Sequence, residues 1–375
     1  MRRFVKFAAV LLTACCAAFP SAQDSASAAC EFDATRDARR PGARGVEAEL
    51  NKYLGRAAAE SGFSGAVLVA RGEKILIHGG YGWADLKKTS RVGKDTRFYI
   101  ASISKQFAAA AVLKLEEQGR LSVRDSIGKF LKDVPADKSA ITLHQLLTHT
   151  SGLGQNYAAD GIADRDAAVR AVLKAPLKSP PGAQFRYSND GYNLLAAIVE
   201  AASGQTYESF LRRRLLSPAG MSRTGFWGDA TAKGDAPVAQ TLKEIGENIR
   251  PPNWGFRGAT GMVSTVEDLF KWWRALSTDK VLKRAGREKL LTPYVETPRG
   301  GYGYGWFASR PNQGRAAVWT TGAEDFGHNA IIKSYADGTL VIVASNAGNL
   351  SGVPARDVIS ANLERIIYNH EAARD

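Results

Sequence analysis

Strand-like runs at both ends of the chain, with helical patterns between them, predict an α/β fold of the α+β kind. One antiparallel sheet is assembled from N- and C-terminal segments and flanked by terminal helices, and a mostly helical insertion occupies about 120–260. Three observations carry this expectation. Ser64–Arg71 and Lys74–Gly79 are β-like runs separated by Gly72-Glu73, which is a hairpin pattern. Ala316–Thr321, Asn329–Tyr335 and Thr339–Ser345 repeat the pattern near the other end, with Asp337-Gly338 as the turn between the last two. Gln106–Gly119 is alanine-rich and amphipathic and closes on a glycine suited to a helix C′ position.

The remaining elements follow in order. Val46–Ala59 and Ala355–His370 read as the terminal helices that cover the sheet. Gly79-Gly80-Tyr81-Gly82 is glycine-rich but opens no helix, so it is not a phosphate cradle. With 45% apolar and 23% charged residues and no internal repeat, residues 43–372 read as one globular domain with a buried core.

Residues 1–28 read as a signal peptide. Arg2, Arg3 and Lys6 form a basic start, Phe7–Phe19 is too short to span a bilayer, and small residues follow, with cleavage fitting after Ala22 or Ala28. Leu12-Thr13-Ala14-Cys15 also resembles a lipobox, so a lipid anchor through Cys15 stands as the alternative to plain cleavage. Both readings send the protein to the periplasm or cell envelope. Residues 29–42 form a polar, flexible segment. After cleavage at 22 or 28 only Cys30 remains, so no internal disulfide holds the fold.

The formal charge of +13 would ordinarily suggest nucleic acid, but the export signal and the lack of any RNP, KH or zinc-finger pattern argue against that partner. No Cys/His spacing suggests a metal, and no cofactor is implied. A basic exported protein meets anionic envelope polymers, peptidoglycan among them.

Ser-x-x-Lys occurs at Ser102/Lys105, Ser126/Lys129 and Ser277/Lys280, so the spacing alone decides nothing. Only Ser102 lies where a strong helix begins. There Ser and Lys share a face, and the free N–H groups favour a developing oxyanion. The same field, with burial, disfavours a charged Lys105, which as a free amine accepts the serine proton. A serine at this place also serves as a plain N-cap. Tyr187-Ser188-Asn189, ahead of a second helical run, offers a phenol and an amide from a loop, or equally a buried structural tyrosine.

Together these residues resemble the β-lactamase-related serine hydrolases: class C β-lactamases, D-alanyl-D-alanine carboxypeptidases and related esterases of the penicillin-binding-protein fold. Phe98–Phe107 resembles the family's nucleophile segment, and Leu143–Leu153 its His-Thr-Ser-Gly-Leu stretch. Gly220–Thr224, Gly261–Leu269 and Tyr302-Gly303-Tyr304-Gly305-Trp306 continue in family order across about 45–365. The resemblance implies Ser102, Lys105 and Tyr187 as catalytic residues, with Asn189 holding the substrate and an oxyanion hole from the backbone N–H groups of Ser102 and Ala323. It implies supporting places for His149 and Ser151. The substrate is a small molecule or peptide, held also by Thr321 and Gly322.

One position departs from that pattern. In Thr320-Thr321-Gly322-Ala323 a threonine stands where the family carries lysine or histidine. Loss of that cation points toward esters or amides without a carboxylate, or toward unusual peptides, unless His328 replaces the charge; the plainer reading is that His328 simply lines the strand. Two functions follow: an active hydrolase forming an acyl-enzyme on Ser102, or a catalytically degenerate envelope protein that binds cell-wall fragments or a protein partner.

Overall fold

The computed structural model describes residues 45–155, 157–228, 238–240, 253–310 and 314–372. The signal-peptide, lipobox and flexible-segment expectations for residues 1–42 lie outside these.

The chain begins with helix α1 (Val46–Glu60) and the hairpin β1 (Gly65–Arg71) and β2 (Lys74–Tyr81). It then passes through β3 (Phe98–Tyr99) and a 3₁₀ turn at Ala101–Ile103 into α2 (Ser104–Glu117). The middle of the chain carries α3 (Leu143–Leu147), α4 (Arg165–Lys174), α5 (Asn189–Ser203), α6 (Tyr207–Leu211) and α7 (Ser217–Ala219). Strands β4 (Gly225–Phe226) and β5 (Met262–Ser264) precede α8 (Val266–Leu276) and α9 (Arg284–Leu291). Three short strands follow: β6 (Val295–Thr297), β7 (Gly300–Tyr302) and β8 (Phe307–Ala308). The chain then runs through β9 (Ala317–Ala323), β10 (Asn329–Tyr335) and β11 (Thr339–Ser345). A small β12 (Asn349–Leu350) and β13 (Val353–Pro354) lead into α10 (Ala355–Ala372).

The predicted sheet is present and antiparallel throughout, in the order β2-β1-β11-β10-β9-β8-β7-β6. Its N- and C-terminal parts meet where β1 pairs with β11, Leu68 opposite Ile342. Gly338 closes the β10–β11 hairpin at φ +84°, a conformation that glycine reaches without steric cost. The short strands β6 to β8 and the separate β3-β5-β4 sheet were not anticipated, because runs of two or three residues carry no periodicity to read.

Alternation along the strands sorts side chains onto two cores. Val67, Val69, Val341 and Val343 face α1 and α10, against Leu50, Leu54, Ile359 and Leu363. Ala66, Leu68, Ile342 and Ala344 face the helical half, where α2 is the central element. Eleven residues of α2 are buried, and its alanine run Ala108–Ala111 is small enough to let α5 and α9 come close. The site lies at the front of α2, where the C-terminal end of β9 meets the helical half.

Candidate active site

Ser102 is not the first residue of α2 but sits in the 3₁₀ turn ahead of it. Ala101 takes φ +47°, in the left-handed region that costs an L-residue about 1–2 kcal/mol. Strand β9 presses on this turn from the other side. A Cβ on Gly322 would lie 2.1 Å from the Ile100 carbonyl oxygen, so only glycine lets the strand come this close. The strained turn and the close strand together place Ser102 beside the Ala323 end of β9.

Lys105 is fully buried one turn into the helix. Its Nζ lies 3.0 Å from Ser102 Oγ, donates to Asn189 Oδ1 at 2.7 Å and donates to the Ala259 carbonyl at 3.1 Å. The Tyr187 ring lies 4.7 Å from the same nitrogen. Burial pushes Lys105 down to about 7, and the Glu324 carboxylate opposes that shift. An uncharged amine has two N–H donors and one lone pair. The two donors match the two acceptors, so the lone pair is left facing the Ser102 hydroxyl.

Tyr187 hydrogen-bonds Ser102, and burial holds its phenol well above the ordinary tyrosine range, so it stays protonated. Its place is fixed from behind. The His149 ring lies 4.3 Å from the Tyr187 ring, and His149 Nδ1 accepts the Ser188 backbone N–H at 3.0 Å. That acceptance places the His149 proton on Nε2, which donates to Tyr302 Oη at 3.0 Å. Burial, and secondarily the charge of Lys105, keep His149 neutral. His149 thus braces the site from inside the loop, while the buried Ser151 accepts the Leu153 backbone N–H at 3.4 Å. Ser188 caps α5 by accepting the Gly191 N–H, which sets Tyr187 and Asn189 on either side of the cap.

The other two Ser-x-x-Lys matches separate cleanly. Lys129 pairs with Asp125 at the surface, and Ser277 Oγ bonds the Trp273 carbonyl. Ser104, next to Lys105, accepts the Met262 backbone N–H at 3.3 Å and turns away from the cleft.

Two residues that the resemblance or the sequence placed at the substrate are buried. Asn189 accepts from Lys105 at Oδ1, and its amide hydrogen-bonds Tyr157, so both ends of the side chain are engaged with the site. His328 supplies no charge. It is buried, edge-on to Phe98, Tyr99 and Phe326, and burial holds it at about 4, so its imidazole is neutral.

Thr321 is half-buried at the cleft, and Gly322 and Ala323 follow it on the same strand. Thr320 is buried and contributes no charge. A cation nevertheless stands here. Arg299, from the β6–β7 turn, places Nη2 3.5 Å from Thr321 Oγ1, the outer limit of a hydrogen bond. Arg299 and two further residues at the site, Tyr157 and Glu324, escaped the sequence reading. The run Pro298-Arg299-Gly300-Gly301 signals a tight turn but says nothing about where that turn points.

Comparison with known proteins agrees with this architecture. The beta-lactamase family model matches residues 50–361. The chain is 29% identical over 306 residues to the Bacillus subtilis (strain 168) protein PbpX, a penicillin-binding protein by name, covering 80% of this chain and 74% of that one. It is 31% identical over 280 residues to a second B. subtilis penicillin-binding protein, covering 68% of this chain and 61% of the relative's length. Among solved structures, the octameric penicillin-binding protein homologue from Pyrococcus abyssi superposes with a TM-score of 0.73 at 26% identity, over 86% of this chain and 77% of that one. The chain therefore belongs to the beta-lactamase family of serine hydrolases, with the β-lactamase/transpeptidase fold.

Proposed function

We propose that the chain is an active serine hydrolase of the cell envelope that forms an acyl-enzyme on Ser102. The observation that supports this best is a fully buried Lys105, held near neutrality, 3.0 Å from Ser102 Oγ. Uncharged Lys105 takes the Ser102 proton while Oγ bonds to the carbonyl carbon of an ester, amide, β-lactam or D-peptide-type substrate. The oxyanion faces the backbone N–H groups of Ser102 and Ala323. When the tetrahedral adduct collapses, the bond to the leaving group breaks. Tyr187, a neutral phenol hydrogen-bonded at Ser102, gives that group a proton and is reprotonated from Lys105. Water then adds to the acyl carbon and passes a proton to Lys105, which returns it to Ser102 Oγ as the acyl bond breaks and the acid leaves.

The penicillin-binding relatives and the basic, apolar N-terminus support export, with small-molecule or peptide substrates drawn from the envelope. Among the described residues no helix is long and apolar enough to cross a membrane. The mass of the mature N-terminus separates Cys15 lipidation from plain cleavage.

The test is intact-mass analysis after treatment with a fluorophosphonate or a labelled penicillin, with Ser102→Ala alongside. A single adduct on the wild type and none on Ser102→Ala is expected, together with hydrolysis of simple p-nitrophenyl esters. No Ser102-dependent adduct and no ester hydrolysis would leave the degenerate envelope-binding protein as the correct reading.

A further inference from the structure

We infer that Arg356 is a positioning residue for the oxyanion hole: its guanidinium aims and polarises the peptide unit that joins Gly322 to Ala323. The inference rests on the hydrolase reading above and names a further working part of the same site.

The direction of that peptide follows from the strand pairing. Ala323 stands opposite Asn329 on β10, and Gly322 opposite Ala330. Just past them the Glu324 N–H donates to the His328 carbonyl at 2.9 Å. Bonded and non-bonded pairs alternate along an antiparallel ladder, so Ala323 and Asn329 are a non-bonded pair and Gly322 and Ala330 a bonded one. The Gly322 carbonyl therefore faces β10. A trans peptide sends its N–H the opposite way, so the Ala323 N–H faces away from β10. On that side β8 pairs with β9 only at Val318 and Trp319. Beyond them the turn that carries Ser102 lies against Gly322.

Arg356 sits in the first turn of α10, and it is buried. Its Nη1 donates to the Gly322 carbonyl at 2.5 Å. That oxygen has two lone pairs: the ladder uses one and the guanidinium the other. A charged donor makes the stronger kind of hydrogen bond. Charge drawn toward the carbonyl oxygen leaves the N–H at the other end of the same peptide a better donor. Any rotation that turned the Ala323 N–H out of the cleft would break both bonds at the carbonyl.

The guanidinium is itself held on two sides. The Arg356 backbone N–H donates to Asn329 Oδ1 at 2.8 Å, and Asn329 is the residue opposite Ala323. Asn329 Nδ2 donates in turn to the Gly348 carbonyl at 2.8 Å and the Gly327 carbonyl at 3.2 Å. Asp357 Oδ1 accepts from Arg356 Nε at 3.2 Å. The peptide is thus gripped from both faces. In front, the missing Cβ of Gly322 lets it close on Ile100; behind, a buried cation holds its oxygen.

The experiment follows p-nitrophenyl acetate and its thiono analogue, in which sulfur replaces the carbonyl oxygen, in wild type, Arg356→Gln and Arg356→Lys. Enzyme is kept in excess so that slow reaction is still read, and fluorophosphonate titration counts working sites. Sulfur is a weak acceptor, so the thiono ester draws little from the oxyanion hole. Removing an oxyanion donor outright costs about 10²–10³ in rate, and here the donor is weakened but kept. Arg356→Gln is therefore expected to lose roughly tenfold in the maximal acylation rate with the oxygen ester and about twofold at most with the thiono ester, at unchanged half-saturation. Arg356→Lys keeps a charged donor and should recover part of the oxygen-ester rate. A residue that only ties α10 to β9 would lower both esters alike. Equal losses on the two esters, no loss on the oxygen ester, or a lysine variant no better than the glutamine one overturns the inference and leaves the hydrolase reading standing. Failure of the wild type to cleave either ester or to take fluorophosphonate on Ser102 overturns the two together.

Discussion

The two walls of the cleft hold their charges in opposite ways. On the helical wall Lys105 is sealed from water and every contact of its nitrogen is accounted for: Ser102, Asn189 and the Ala259 carbonyl. On the sheet wall Arg299 comes from a surface turn, leans on an aromatic face and keeps its fork open to solvent. Burial tunes the first group and would be ruinous if its partners were removed. The second is tuned by nothing but position, because a guanidinium keeps its proton at any ordinary pH. Chemistry common to a family belongs on the first kind of wall, where the fold dictates it. The second kind of wall is where one turn can change without disturbing the core.

The largest effect that breaks the comparison comes from the helical wall. Lys105→Ala removes the proton acceptor, and kcat/KM for any ester should fall by about 10²–10⁴. The sign of the pH dependence follows from the lowered pKa. Lys105 works uncharged, so the wild-type rate should be small below pH 7, rise as the ammonium loses its proton at about 7, and level off above it. A pH profile of kcat/KM for a substrate without ionisable groups checks this. An acid limb that survives in Lys105→Ala would assign the titration to another group.

A smaller effect comes from placing a lysine at Thr320, where the family motif has its cation. Thr320 is 2% exposed and lies in a strand paired on both sides, Ile332 being its neighbour on β10. A long chain there must displace packed neighbours, at about 1–3 kcal/mol. Thr320→Lys should therefore lower the melting temperature. An unchanged melting temperature would mean that the strand takes up the longer chain without displacing its neighbours.

How much of this could be read from sequence differs between the same two walls. The sheet strands with alternating faces, the terminal helices and the α2 segment were legible because each runs long enough to show its period. Ser102, Lys105 and Tyr187 were legible because each sits in a local pattern, and the structure brings them together. What was hidden depends on three-dimensional closure. Arg299 precedes Thr321 by two short strands and a loop, and no spacing rule connects them. Conversely, His328 lies close to the motif in sequence and looked like the natural replacement, yet it points among Phe98, Tyr99 and Phe326. Asn189 was assigned to substrate, and the bond that Lys105 makes to its oxygen could not be read from the loop.

The finest test of the comparison is Glu324, which lies beyond the oxyanion end of β9. The groups around Lys105 are Ser102, Asn189, Tyr187, Tyr192 and His149, with Glu324 acting on it through its charge. Of these only Glu324 carries a negative charge at neutral pH, and it holds the lysine proton on against the effect of burial. In Glu324→Gln burial acts unopposed, so Lys105 should titrate below its present value. The acid limb then moves to lower pH, and the ratio of the rate at pH 6 to that at pH 8 rises, with the alkaline plateau little changed. Tyr187 feels Glu324 and, from the opposite wall, Arg299, so the two walls meet at that phenol. A limb that moves upward, or does not move, would mean that Glu324 is not the group that holds the lysine proton.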